Sequence, residues 1–221
     1  IHAGSGRLLS FIHKTLAQKN WLYPPDPTEW NASLGGTIST NASGACYYKY
    51  GSTREYVTAL RTVLMDGDVV SIERGRFFAK ENGVFELATL GGRSISGKLP
   101  DYRMPVVKHA AGYFIKPGMD LIDLVIGSEG TLGIVTEATL RLIRTPARVL
   151  AGIAFFSREE DSWRFVTSLD PFRTKAHPYF SVRALEYFDS CSLDVLRPAH
   201  GRIPGGAKAA IWYELETDPS R

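Results

Sequence analysis

Two stretches of the chain crowd glycine together with small hydroxyl- and amide-bearing residues. The first, SLGGTISTNASG, runs from Ser33 to Gly44 behind a PPDPTEW segment, and the second, GSEGTLG, runs from Gly127 to Gly133. Bare glycine lets a ligand approach the main chain and takes positive φ without a steric penalty. Successive exposed N–H groups then make a concave seat for an anion. Ser33, Thr40, Asn41, Ser43, Ser128 and Thr131 add hydrogen-bonding groups that do not exchange protons near neutral pH. Such a set suits holding a long, polar, anionic molecule; in the first segment the titratable groups are Asp26 and Glu29. Taken alone, GSEGTLG reads equally as a tight helix-to-strand connection whose glycines relieve crowding. It lacks the lysine of a GxxxxGK[ST] phosphate loop.

The remaining reactive side chains make no comparable constellation. Cys46 and Cys191 lie far apart without a CxxC partner, which argues against a disulfide scaffold or a zinc site and makes a reducing cytoplasm the default. His109, in VVKHAAGY, precedes the second loop, but a solvated loop position is the simpler account and it is assigned no role. Arg183 and Glu186 on an expected strand read equally as pocket-lining residues or as an exposed ion pair, and no role is assigned to them. Cys46 has no basic groups nearby to favour covalent attachment to a cofactor. The 26 Lys and Arg are scattered against 23 Asp and Glu, which disfavours nucleic acid and suits a small anionic partner. No apolar run approaches the roughly 20 residues of a membrane span.

These loops need elements to position them. Leu8, Leu9, Phe11, Ile12 and Leu16 recur at helical spacing, predicting about four turns of helix that stop at NWLYPPDP. The stretch from Trp21 to Gly51 is long for an ordinary loop, and such loops are usually functional. YVTALRTVLMDGDVVSI predicts a hairpin turning at Asp66-Gly67, and RFFAKENGVFEL a second at Asn82-Gly83. Gly91 to Pro117 reads mostly as loop, and a short helix near Met119 to Val125 feeds the second glycine loop. Beyond Pro146 come a strand VLAGIAFF, a helix SREEDSWRFVTSL with Ser157 and Glu160 as a capping box, and strands YFSVRALEYF and AAIWYELE. This order predicts a second α+β unit.

PPDP followed by GGTISTNASG and YG, with GSEGTLGIVTEATLRL downstream, resembles the FAD-linked oxidases of the vanillyl-alcohol oxidase type. The likeness is greatest to the branch of glycolate oxidase, the D-lactate dehydrogenases and alkyl-dihydroxyacetonephosphate synthase. It implies an α+β fold: the second lobe of a PCMH-type FAD-binding domain over residues 1–145, then the beginning of a ferredoxin-like cap over 146–221. It further implies that Pro25, Asp26, Thr28, Ser33, Gly36, Thr40, Asn41 and Ser43 line the flavin with its ribityl and phosphate chain. Gly127, Ser128, Glu129, Gly130, Thr131, Gly133 and Ile134 would wrap the adenine side. The implied activity is hydride transfer from a 2-hydroxy acid or alcohol to FAD, with oxygen, a quinone or an iron–sulfur partner as acceptor and a cytoplasmic or membrane-peripheral location. A non-catalytic nucleotide- or partner-binding module is the alternative.

The chain departs from that pattern in two places. No GGGTS-like lobe precedes Ile1, and His177 and His200 do not reproduce the family's metal-binding His pair. The resemblance therefore reads the sequence as an internal segment that holds FAD weakly by itself, with catalytic base and metal ligands elsewhere.

Overall fold

A computed structural model describes residues 1–173 and 179–217. In chain order the first elements are β1 (His2–Gly4), α1 (Leu9–Ala17), β2 (Trp21–Leu22), α2 (Leu34–Ser39), α3 (Tyr47–Tyr50), β3 (Val57–Val63), β4 (Val69–Glu73), β5 (Val84–Ala88) and β6 (Ser94–Lys98). There follow α4 (Ile122–Val125), β7 (Ile134–Leu140), β8 (Ile143–Arg144), β9 (Arg148–Phe156), α5 (Glu159–Leu169), β10 (Phe180–Phe188), α6 (Ser190–Leu196) and β11 (Ala209–Thr217). The chain divides into two compact units, one of residues 1–44 with 52–144, the other of 45–51 with 145–221.

In the first unit, four antiparallel strands stand in the order β1-β7-β3-β4. Val57 and Leu60 both enter the core although three positions apart, because a bulge between Val57 and Ala59 inserts an extra residue into β3. Val70, Ile72, Val135, Ala138 and Leu140 complete that face, and α2 packs on β7. The expected turn at Asp66-Gly67 closes between Leu64 N–H and the Asp68 carbonyl at 2.8 Å, with Gly67 at φ 87°. Helix α1 is shorter than its apolar spacing suggests, at nine residues: Leu9, Ile12 and Leu16 are buried, whereas Leu8 and Phe11 are 43% and 52% exposed.

The expected second hairpin is corrected. Asn82-Gly83 does turn the chain, but β5 pairs with β6 around Gly92, inside the stretch read as loop. Residues 77–79 bond instead to Met119 and Leu121. The polar Ser94–Lys98 strand is only half-covered, so no apolar alternation marks it.

The second unit has strand order β10-β11-β9, all neighbours antiparallel. Thus β9 and β10 run the same way with β11 between them and α5 crossing over, the split βαβ arrangement of a ferredoxin-like fold. Leu193, Ala207 and Ala210 form a core cluster against Phe155, Phe188 and Ile203. The Ser157–Glu160 capping box does not form: the N-cap of α5 is Arg158, without a side-chain cap bond. Glu159, Glu160 and Asp161 in the first turn complement the helix N-terminus instead.

Candidate cofactor-binding site

Both glycine loops belong to the first unit, and hydrogen bonds join their edges. Gly127 N–H donates to the Ile38 carbonyl at 3.0 Å and Glu129 N–H to the Ser39 carbonyl at 2.8 Å. In the first loop, Ser33 caps α2 by accepting from Gly36 N–H at 3.2 Å, and the Thr40 hydroxyl donates to the Gly36 carbonyl at 3.0 Å. Asn41 takes a left-handed φ of 46°, and its side-chain oxygen accepts Arg54 N–H at 3.0 Å. Pro25 is buried, Ser43 half-buried and Thr28 exposed. Asp26 lies against Gly44, so close that a Cβ on the glycine would sit 2.0 Å from the Asp26 carbonyl oxygen.

In the second loop, Ser128 is 4% exposed and its carbonyl accepts from both the main chain and the hydroxyl of Thr131. Gly127, Gly130 and Gly133 all have positive φ, as does the exposed Glu129 at 54°. Ile134, which opens β7, is 61% exposed, a large apolar side chain left at the loop's end. The Tyr113 hydroxyl stands 2.6 Å from Thr131 Oγ1.

Sequence reasoning missed the charged cluster behind these loops. The Arg54 guanidinium reaches the carbonyls of Asp123 and Ile126 and lies 3.2 Å from Asp123 Oδ1. Arg74 grips the same carboxylate through two nitrogens, at 2.9 and 3.2 Å. Phe114 covers the Arg54 guanidinium, its ring centroid 4.3 Å from Cζ. Burial lowers the Arg54 pKa from its ordinary value, with the Asp123 carboxylate working against that shift. The one signal in the sequence was Asp123, a lone acid within the apolar run LIDLVIG.

Cys46 is buried in the second unit, where its sulfur is 2.8 Å from Arg183 Nε. Arg183 pairs with Glu214 at 3.2 Å rather than with Glu186 as expected, since residues three apart on a strand face opposite sides. Buried Nδ1 of His109 has no hydrogen-bond partner among the described residues. His200 is exposed, and His177 falls outside the described residues.

Residues 1–73 match the FAD binding domain family. A D-lactate dehydrogenase of Anaerostipes hadrus is 36% identical over 157 residues, covering 71% of this chain and 26% of the relative. The glycolate oxidase subunit GlcD of Bacillus subtilis is 32% identical over 205 residues, covering 92% of the chain and 35% of the relative. Residues 1–73 thus belong to the FAD binding domain family.

The chain spans about a quarter to a third of the length of the curated relatives it matches. A solved alkyldihydroxyacetonephosphate synthase shares its fold, with a TM-score of 0.64 at 17% identity, over 99% of the chain and 35% of the synthase. The loops suit the family's cofactor in two ways. A Cβ on Gly130 would meet nothing within 4 Å, and one on Gly36 would meet Ser33 Oγ, at 3.1 Å, so neither position is blocked by another segment of chain. Small hydroxyls and amides surround these positions, and a bulky polar molecule can therefore approach.

Proposed function

We propose that this chain forms part of the flavin site of an FAD-dependent oxidoreductase that oxidises a 2-hydroxy acid, such as lactate or glycolate. The observation that carries the reading is the joining of two small-residue loops, each with uncrowded space beside one glycine. Pro25, Asp26, Thr28, Ser33, Gly36, Thr40, Asn41 and Ser43 would line the flavin side, and Gly127, Ser128, Glu129, Gly130, Thr131, Gly133 and Ile134 the adenine side. When bound, FAD supplies the hydride acceptor. The chain's own residues bind and orient it, their N–H groups and hydroxyls replacing water around the phosphates.

The substrate class is supported by the relatives, which are named as a D-lactate dehydrogenase, a D-2-hydroxyglutarate dehydrogenase and a component of glycolate oxidase. We assign residues 1–145 to the cofactor-binding domain and 146–221 to the beginning of a cap, with a quinone or iron–sulfur partner as electron acceptor. No helix among the described residues is long and apolar enough to cross a membrane, which fits a cytoplasmic or peripheral enzyme.

Two measurements test this reading. Millimolar FAD should protect the amides of residues 36–43 and 127–131 from hydrogen exchange together; protection of neither loop would overturn the assignment. In the full-length protein, anaerobic D-lactate or glycolate should bleach the bound flavin. Bound flavin that stays oxidised with every 2-hydroxy acid would leave a non-catalytic nucleotide-binding module.

A further inference from the structure

Arg54 is one residue that grips both loops. Its main-chain N–H donates to the side-chain oxygen of Asn41 in the first, a residue in the left-handed conformation that asparagine tolerates better than most non-glycine residues. Its guanidinium holds the approach to the second. Helix α4 is four residues long and ends at Val125, with Ile126 as its C-cap before Gly127, so its terminal carbonyls lack partners within the helix. Arg54 Nη1 takes the Asp123 carbonyl and Nη2 takes that of Ile126 at 2.5 Å, and a cation at a helix C-terminus is electrostatically favoured.

The guanidinium is itself held on every side. Asp123 accepts from Arg54 and from both terminal nitrogens of Arg74. Arg74 also donates to the Arg54 carbonyl at 3.0 Å and, through Nε, to the Val57 carbonyl at 2.9 Å, which ties the cluster to the start of β3. Phe114 closes the flat face, beside the Tyr113 whose hydroxyl meets Thr131. A planar fork with fixed donors can reach two carbonyls and a carboxylate together, whereas an ammonium at the end of a flexible stem cannot reproduce that set.

We propose that Arg54 is a positioning residue for the cofactor, a clasp that fixes the Asn41 loop against the Gly127–Gly133 loop through Asp123 and Ile126. The clasp follows from the contacts alone; its effect on FAD rests on the flavin reading above. Arg54→Lys retains the charge without the fork, and Arg54→Ala leaves a space that added guanidinium can fill.

Without FAD, both variants should exchange the Gly127 and Glu129 amides about tenfold faster, equivalent to about 1.4 kcal/mol, while Thr62 and Val70 amides in the sheet keep their rates. Exchange that rises equally throughout the unit assigns Arg54 to general stability and overturns the proposal, as does unchanged loop exchange. With FAD, the dissociation constant should rise by at least the same factor, and guanidinium, but not methylammonium, should restore both readouts in Arg54→Ala. Loosened loops with unchanged FAD affinity would overturn the positioning role. If the unaltered protein shows no protection by FAD, the flavin reading fails, and the exchange measurements still decide whether the clasp exists.

Discussion

In the first loop, Gly35 and Gly44 lie where one segment of chain passes against another. A Cβ at Gly35 would come 2.7 Å from Ser5 Cβ, and one at Gly44 would overlap the Asp26 main chain, yet neither glycine has positive φ. In the second loop the three glycines all have positive φ, from 77° to 146°, and Gly130 has open space around it. The first loop needs glycine for room at these two positions, whereas the second needs it for backbone conformation at all three and for room as well at Gly133. Counting glycines in a motif therefore says little about which of them a ligand touches; here the positions that no other segment of chain blocks are Gly36 and Gly130.

Alanine at each position separates these causes. Gly44→Ala should have the largest effect, about 3 kcal/mol or more of lost stability, because main chain rather than a movable side chain blocks the methyl. A loss under about 1 kcal/mol in urea unfolding would remove steric passage as the reason for glycine there. Gly133→Ala meets both obstacles, a φ of 146° and the Val63 carbonyl oxygen at 2.6 Å, and should cost about 2 to 3 kcal/mol. Thermal unfolding that matches the unaltered protein would contradict this.

Gly130→Ala should cost about 1 kcal/mol, from the left-handed backbone alone. Its FAD affinity, measured by calorimetry, should fall as well if the open space is cofactor space. Gly36→Ala should move stability least. The residue is helical, where alanine gains about 0.5 to 1 kcal/mol over glycine, and the gain is offset by the approach to Ser33 Oγ at 3.1 Å. Denaturant midpoints equal within error, together with weaker FAD protection of residues 36–43, are expected; a large stability loss would place Gly36 with Gly44.

Much of the scaffold was legible because local rules agreed with the global fold. The Asp66-Gly67 turn and the alternation of β4 placed that hairpin, and apolar patterning located α5, β9, β10 and β11 to within about two residues, the usual limit for element ends. Strand β1 was not legible: His-Ala-Gly carries no pattern, and His2 pairs with Thr139, far along the chain. Nor was Arg183, because its partner Glu214 comes from β11. The two loops could be found from composition, since bare backbone must be made of glycine. Arg54 could not, because its value lies in carbonyls contributed by residues about 70 positions later.

Residues 45–51 leave the first unit at Gly44 and return to it at Ser52, and the neck of the excursion is pinned where Thr53 N–H and hydroxyl both donate to the Ala42 carbonyl. At its tip, Lys49 and Tyr50 bind the Glu216 carboxylate and Lys49 also holds Ser181 at 2.8 Å. Tyr50 and Glu216 are 166 positions apart. At a synthesis rate of roughly 5 to 20 residues per second, the tyrosine is incorporated roughly 8 to 33 s before its carboxylate exists. The second sheet must therefore mature around a peptide made long before it, so that sheet should acquire its last protection only after strand β11 is released.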